Sequence, residues 1–466
     1  MKKMYNIILI TIDCLRADHL SCFGYKKTLT PNIDKLAEGG VLFHNAFSNG
    51  PYTAMSFPSI FTSTYPLMYP HILENDLFLS DERTSFVQIL KKHGYKTAAF
   101  HSNPHLSAYF GYGKGFDVFK DHVLKDGIQP SNLTSKVKEK IKSKYSKNRR
   151  IYSILKKLYS SRYWFKLYFQ RTRPYIGAHD INREALEWIS KTRKNFFVWL
   201  HYMDLHVPYL PPQPFLSHIR SVWLQKKTIY KNKSKGSLQE VSTKDLKHLV
   251  NLYDRALSYV DYELGVFLEC LKDFGIDVDN TFIIVTSDHG EEFMEHGDLG
   301  HLNKLYDELL HVPLIIANPS LPREKIDNQV GHIDLAPTIM DLVGLKKEPF
   351  FLGSSLVPYM KFPEKTEEKN IISEYWYKNE IGYSLRTKGW KLIITFNKIG
   401  IKKELYDLNN DPREQINMAE YEEMITKKLV RYIKKHIAME KKCFEASSKK
   451  KRLLRKIRNL KMKMKS

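Results

Sequence analysis

The chain has 466 residues, 42% of them hydrophobic and 13% aromatic, enough for a large core and incompatible with a disordered polymer. Its net charge of +23 is local: residues 135–175 hold 14 Lys/Arg against Glu139 alone, and residues 427–466 hold 17 against Glu440 and Glu445. The remainder is mildly acidic, which argues for two basic appendages and against a nucleic-acid-binding body. The apolar run at residues 7–12 is too short to span a bilayer, and no other run is long enough. With Asp13 at its end and no small-residue cleavage site, it does not read as a signal peptide. Cys14, Cys22, Cys270 and Cys443 have neither metal-site nor disulfide-framework spacing and are expected to be reduced thiols of a cytoplasmic protein.

Residues 5–12 read as a strand buried on both faces of a parallel sheet. Thr30-Pro31-Asn32 opens a helix that closes at Gly39-Gly40. Residues 41–46, 96–100, 196–200, 281–286 and 312–317 are further strands rich in β-branched or aromatic residues, and residues 244–271 form a long helix. Strands alternating with helices predict an α/β domain with a largely parallel sheet. From about Gly344 the character changes. Residues 381–385, 390–395 and 403–406 read as short antiparallel strands, and a basic helix follows with Leu429, Tyr432, Ile433 and Ile437 on one face. The expected division is a catalytic α/β domain at 1–345 with a basic insertion at 126–176, a small β subdomain at 346–420, and a basic helical tail at 421–466, its end from 449 frayed or partner-bound.

Three strands end in polar residues: Asp13 after the first, Asp288-His289 after residues 281–286, and His201, Asp204 and His206 after residues 196–200. In open α/β sheets the ligand crevice lies beyond the carboxyl ends of the strands. Carboxylates and imidazole gathered there suit a divalent cation.

Across residues 4–420 the chain resembles the sulfatase family of the alkaline phosphatase superfamily. The resemblance rests on eight blocks in the family's order: residues 6–16, 30–37, 53–66, 200–209, Thr286-Ser-Asp-His-Gly-Glu291, 305–314, His332-Ile-Asp-Leu-Ala-Pro-Thr338 and 404–412. It implies an alkaline-phosphatase-like sandwich, a largely parallel sheet flanked by helices with a small C-terminal antiparallel sheet. The implied function is a metal-dependent hydrolase of a sulfate or phosphate ester, on a small molecule or a glycan. The implied metal ligands are Asp13, Thr53, Asp288 and His289. Cys14 stands where many relatives carry a second Asp, and the imidazole moves the choice from Ca²⁺ or Mg²⁺ towards Mn²⁺ or Zn²⁺.

The family's nucleophile opens a Cys (or Ser)-x-Pro-x-Arg signature, is oxidised to formylglycine, and precedes a closing Pro by 13 positions. Counting back from Pro66 nominates Thr53, with Phe57 where the Arg would be; Ser56-Phe-Pro58 is the rival register. An unmodified Thr needs activation by the cation and must form a covalent ester, which favours phosphoesters over sulfates. The resemblance makes His206 and His301 candidates for binding the anionic group or protonating the leaving oxygen, with Lys304 a further substrate contact. Asp204 and His206 are candidates for a second cation, whereas His201, His296 and His311 are expected to be structural. The alternatives are a phosphoryl transferase or phosphodiesterase of this fold, and a non-catalytic protein acting through its basic segments. Those segments suit a polyanion or an anionic membrane surface, with the protein peripheral to it.

Overall fold

In the computed structural model the opening apolar run is strand β1 (Asn6–Ile12), fully buried from Ile7 onward. The structure describes residues 5–68, 79–122 except 81, 175–216, and 241–463 except 363 and 365. Nearly all of the basic insertion expected at 126–176 therefore lies outside the described residues. After β1 come α1 (Pro31–Glu38), β2 (Val41–Phe47), α2 (Thr53–Thr62), α3 (Phe86–Lys92), β3 (Lys96–Phe100) and β4 (Val118–Lys120). The next stretch supplies α4 (Ala178–Lys191), β5 (Phe196–Tyr202), α5 (Thr243–Asp273), β6 (Thr281–Ser287), and the two-residue strands β7 (Glu292–Phe293) and β8 (Leu299–Gly300). Then follow α6 (Asp307–Leu310), β9 (His311–Ala317), β10 (Glu324–Gly331), α7 (Leu335–Leu342) and α8 (Val357–Lys361). The chain continues through β11 (Ile371–Tyr377), β12 (Glu380–Arg386), β13 (Trp390–Phe396) and β14 (Ile401–Asp407) to α9 (Glu423–Lys463).

Eight strands form one sheet in the order β10-β2-β9-β6-β1-β5-β3-β4, parallel throughout except that β9 runs against both neighbours. Side chains alternate across it, as the pleat requires. Ile8, Ile10 and Ile12 of β1 enter a core shared with α1, α4 and α5, whereas Ile7 and Leu9 enter one shared with α2, α3 and α7. A strand with helices on both faces has no polar side to offer, which is why β1, β5 and β6 read as continuous apolar runs. The edge strand β10 is half polar and carries a register shift, and gives no such signal.

The C-terminal sheet is a four-stranded antiparallel meander, with β11 added to the three expected strands. One side of it packs on the catalytic domain, where Ile371, Tyr375, Ile393 and Tyr406 meet Phe47, Met55, Leu305 and Leu310. Its other side receives Leu429 and Ile433 of α9. Two expectations are corrected here. Tyr432 lies off the packed face at 45% exposure, and the backbone from 449 to 463 continues α9 instead of fraying.

Candidate active site

Parallel register brings the two carboxylates together. Ile12 pairs with Tyr202 on β5 and with Ser287 on β6, so Asp13 and Asp288 leave adjacent strand ends side by side, both fully buried. Burial raises the Asp13 pKa, but the hydrogen bond from His201, with the imidazoles of His206 and His289 close by, outweighs it and holds the carboxyl well below its ordinary range. Burial and the Asp13 charge together push Asp288 up. Two carboxylates this close cannot both ionise cheaply without a cation.

His289 completes the group. Its Nδ1 donates to Gly290 O at 2.8 Å, leaving the Nε2 lone pair to face inward. That nitrogen lies 3.3 Å from Thr53 Oγ1, 3.4 Å from Asp288 Oδ2 and 4.0 Å from Asp13 Oδ1. Burial lowers the pKa of His289 and keeps the ring neutral. The loop is fixed by Gly290, where a Cβ would stand 2.0 Å from Glu308 O. Thr53 is the first residue of α2, so the positive end of that helix dipole points into the site beside its hydroxyl.

These four residues fit a divalent cation. Asp288 Oδ2 is buried with no hydrogen-bond partner among the described residues, a costly state that a cation would relieve. Asp13, Asp288 and His201 also offer ligand atoms within 4.8 Å of one another.

Further side chains hold this group in place. Trp199 Nε1 donates to Thr11 Oγ1 at 2.9 Å, Thr11 Oγ1 is 2.8 Å from His201 Nδ1, and His201 Nε2 is 3.3 Å from Asp13 Oδ2. Asn103 Nδ2 donates to the same oxygen at 3.1 Å. His201, expected to stand apart as a structural residue, is thus a direct partner of Asp13. Asn103 carried no signal at all, because it follows β3 and only the strand order brings it here. Cys14 adopts φ +61° and its thiol donates to Asp13 Oδ1 at 2.9 Å.

His301 lies above His289, with ring centres 4.3 Å apart, and His206 is 5.3 Å from His301. His301 Nδ1 is 2.6 Å from Glu291 Oε2, and Tyr209 Oη donates to Glu291 Oε1 at 3.0 Å. Burial works against ionisation of Glu291, but the His301 charge and hydrogen bond prevail and bring its pKa down to about 2. His206 Nδ1 donates to Val207 O at 2.9 Å. Each ring thereby commits Nδ1 to a protein acceptor.

Three expectations change. Lys304 Nζ donates to Glu292 Oε1 and Oε2, both at 2.8 Å, and to His296 O at 2.9 Å; its three protons are taken, so it is a structural link and not a substrate contact. Asp204 Oδ2 accepts from Ala178 N at 2.9 Å, holding the start of α4, and Asp204 is in none of the potential metal-ligand groups among the described residues. Ser56 is fully buried and donates to Thr53 O at 3.3 Å, turned away from the group that Thr53 joins. Phe57 packs edge-on against His201 at 5.3 Å, an apolar wall where the family pattern has Arg. His296 and His311 are structural as expected, bonded to Glu308 and to His44 O.

Comparison with known proteins bears on the whole arrangement. The Sulfatase family model matches residues 5–345, and a model described as N-sulphoglucosamine sulphohydrolase, C-terminal, matches residues 295–442. Arylsulfatase K of Bos taurus is 25% identical over 434 residues, covering 89% of this chain and 78% of its own. A sulfatase of Formosa agariphila is 26% identical over 450 residues, covering 89% and 83%. The phosphonate monoester hydrolase of Agrobacterium radiobacter has the same fold, with a TM-score of 0.70 at 20% identity over 94% of this chain and 96% of that one. A 2-O GAG sulfatase gives 0.68 at 17% identity over 95% and 94%. With the family pattern spanning most of the chain and the strand-end carboxylates assembled as that pattern requires, the chain belongs to the sulfatase family and is a sulfuric- or phosphoric-ester hydrolase.

Proposed function

We propose that the chain cleaves a phosphate or phosphonate ester by attack of the unmodified Thr53 hydroxyl, with sulfate esters the poorer substrates. The observation that carries this is the position of Thr53 Oγ1, 3.3 Å from His289 Nε2 at the N-terminus of α2. A divalent cation held by Asp13, Thr53, Asp288 and His289, with the imidazole favouring Mn²⁺ or Zn²⁺, would lower the hydroxyl pKa and offset charge on the transferred group. Thr53 gives up its hydroxyl proton to solvent, Oγ1 forms a bond to phosphorus as the bond to the leaving oxygen breaks, and that oxygen takes its proton from His301 or His206. Water then attacks the phosphorus of the Thr53 ester and releases the anion. A formylglycine hydrate can expel its sulfate by elimination, but a Thr ester has no second hydroxyl with which to do so, and displacement by water is a route suited to phosphoryl groups.

The same reading expects a reducing compartment, with which four free cysteines are in keeping, and a position peripheral to an anionic lipid surface. Lys427, Lys428, Arg431, Lys434, Lys435, Lys441 and Lys442 are all exposed on α9, and no helix among the described residues is long and apolar enough to cross a membrane.

Thr53→Ala and Ser56→Ala, assayed side by side on aryl phosphate, phosphonate and sulfate esters, test the nucleophile. Thr53→Ala should lose several powers of ten in kcat and Ser56→Ala little. Intact-mass measurement with a slow phosphoester should show one phosphoryl adduct on Thr53. Formylglycine at position 56, or full activity in Thr53→Ala, would return the chain to ordinary sulfatase chemistry.

A further inference from the structure

Helix α9 keeps a buried stripe after its apolar residues run out. Leu429 and Ile433 seat on the C-terminal sheet among Leu385, Leu392 and Ile394. The next two positions on that face, three and then four residues on, are His436 and Glu440. Both are buried, and facing them from β11 is Glu374, fully buried. Glu374 Oε2 accepts from Leu67 N at 3.0 Å, and its Oε1 is hydrogen-bonded to His436 Nε2. Glu440 Oε1 stands 3.8 Å from His436 Nε2 and is buried with no hydrogen-bond partner of its own among the described residues, although the Glu440 carboxyl as a whole also engages Glu374 and Tyr383. Arg83, the guanidinium whose charge reaches this pair, donates to Thr64 Oγ1 and to the carbonyls of Tyr65 and Pro66.

A sheet and a helix that needed only to pack would continue in aliphatic residues. Here one imidazole nitrogen and two carboxylate oxygens converge within 4.8 Å of one another, and one oxygen points into the cluster unpaired, which is costly for a buried carboxylate. One His with two acidic side chains is a donor set of Zn²⁺, whose tetrahedral shell takes a water at the fourth position. We infer that Glu374, His436 and Glu440 bind a second divalent cation of the zinc type, separate from the strand-end site. Binding releases to solvent the proton shared by His436 and Glu374 together with the one that burial and the Glu374 charge hold on Glu440, and gives Glu440 Oε1 its missing partner. The cation then fastens α9 to β11 and to the segment leaving α2, because Leu67 bonds Glu374 and the Tyr65 ring packs 4.4 Å from His436. The basic helix is thereby tied to the end of the helix that begins at Thr53.

Metal counting tests this without reference to the nucleophile. The full chain is loaded with Zn²⁺, dialysed against metal-free buffer and analysed by inductively coupled plasma mass spectrometry. Two equivalents are expected in the wild type, one in Glu440→Gln with ester turnover retained, and one in Asp288→Ala. His436→Asn should behave as Glu440→Gln does. Limited trypsinolysis supplies a second readout: a chelator should hasten release of α9 in Asp288→Ala protein and change nothing further in the Asp288→Ala/Glu440→Gln double variant. Equal zinc in the wild type and Glu440→Gln, or a tryptic pattern indifferent to chelator in Asp288→Ala, overturns the second site whatever the strand-end site binds.

Discussion

In the proposed reaction His301 is the expected proton donor, because Glu291 orients its ring and is itself held ionised beside it. His301→Gln should therefore cost about 10²-fold in kcat on alkyl esters. On p-nitrophenyl esters, whose leaving group needs no proton, the loss should be much smaller. A loss independent of leaving-group pKa would transfer the role to His206. His101 has a different consequence. It is fully buried between Trp199 and Phe119, neither ring nitrogen has a hydrogen-bond partner among the described residues, and burial holds its pKa well below the ordinary 6.5. The folded protein keeps this ring neutral while the unfolded chain takes up a proton. Stability is thus complete above about pH 6.5 and is lost as pH falls, by up to roughly 1.4 kcal/mol per pH unit from this one group. His101→Phe should flatten the dependence of the urea midpoint on pH between 6.5 and 5. An unchanged slope would show that other groups dominate acid unfolding.

Helices here are anchored by single buried carboxylates as much as by their own sequences. Asp261 of α5 accepts from Asn32 N, Ile33 N and Asn32 Nδ2, satisfying the first turn of α1. Asp261→Ala should destabilise the protein by about 1–3 kcal/mol, since it strands buried N–H groups as well as removing their acceptor, and equilibrium urea unfolding would measure it. Strand pairing acts on the chemistry itself. Because β1 lies between β5 and β6, a single layer of strand ends supplies Asp13, His201 and Asp288, and β3 next to β5 adds Asn103. The reversed direction of β9 has the opposite effect. Its entry, and not its exit, lies at this end of the sheet, so His311 meets His44 O at the level of β2 instead of joining the group of Asp13, Asp288 and His289.

Across the molecule, charge and chemistry are segregated. The candidate site is a buried cluster of carboxylates and imidazoles in a mildly acidic body, whereas the described cations of α9, Lys427 to Lys442, are exposed. Truncation after Glu440 should leave turnover of a small soluble ester nearly unchanged and weaken adsorption to anionic vesicles. Each basic residue near such a surface is worth roughly 1 kcal/mol, less at high salt. Equal vesicle retention of full-length and truncated protein at low ionic strength would assign the membrane contact elsewhere.

Much of this was legible in the chain alone. Continuous apolar runs marked β1, β5 and β6, because a strand covered on both faces must be apolar on both. The residues ending those strands pointed to Asp13, Asp288 and His289, which the fold brings into one buried group, and the resemblance, counted back from Pro66, pointed to Thr53 beside them. Half-polar β10 and two-residue strands such as β7 left no pattern, since edge strands need only one buried side. What only the tertiary structure decided was partnership. Lys304 found Glu292, Asp204 found the start of α4, His201 found Asp13, and Glu374 met His436 and Glu440 across 62 and 66 positions of chain. A titratable side chain has the same letter whether it is neutralised, capping or free to react; its neighbours in space set which, and no local pattern encodes them.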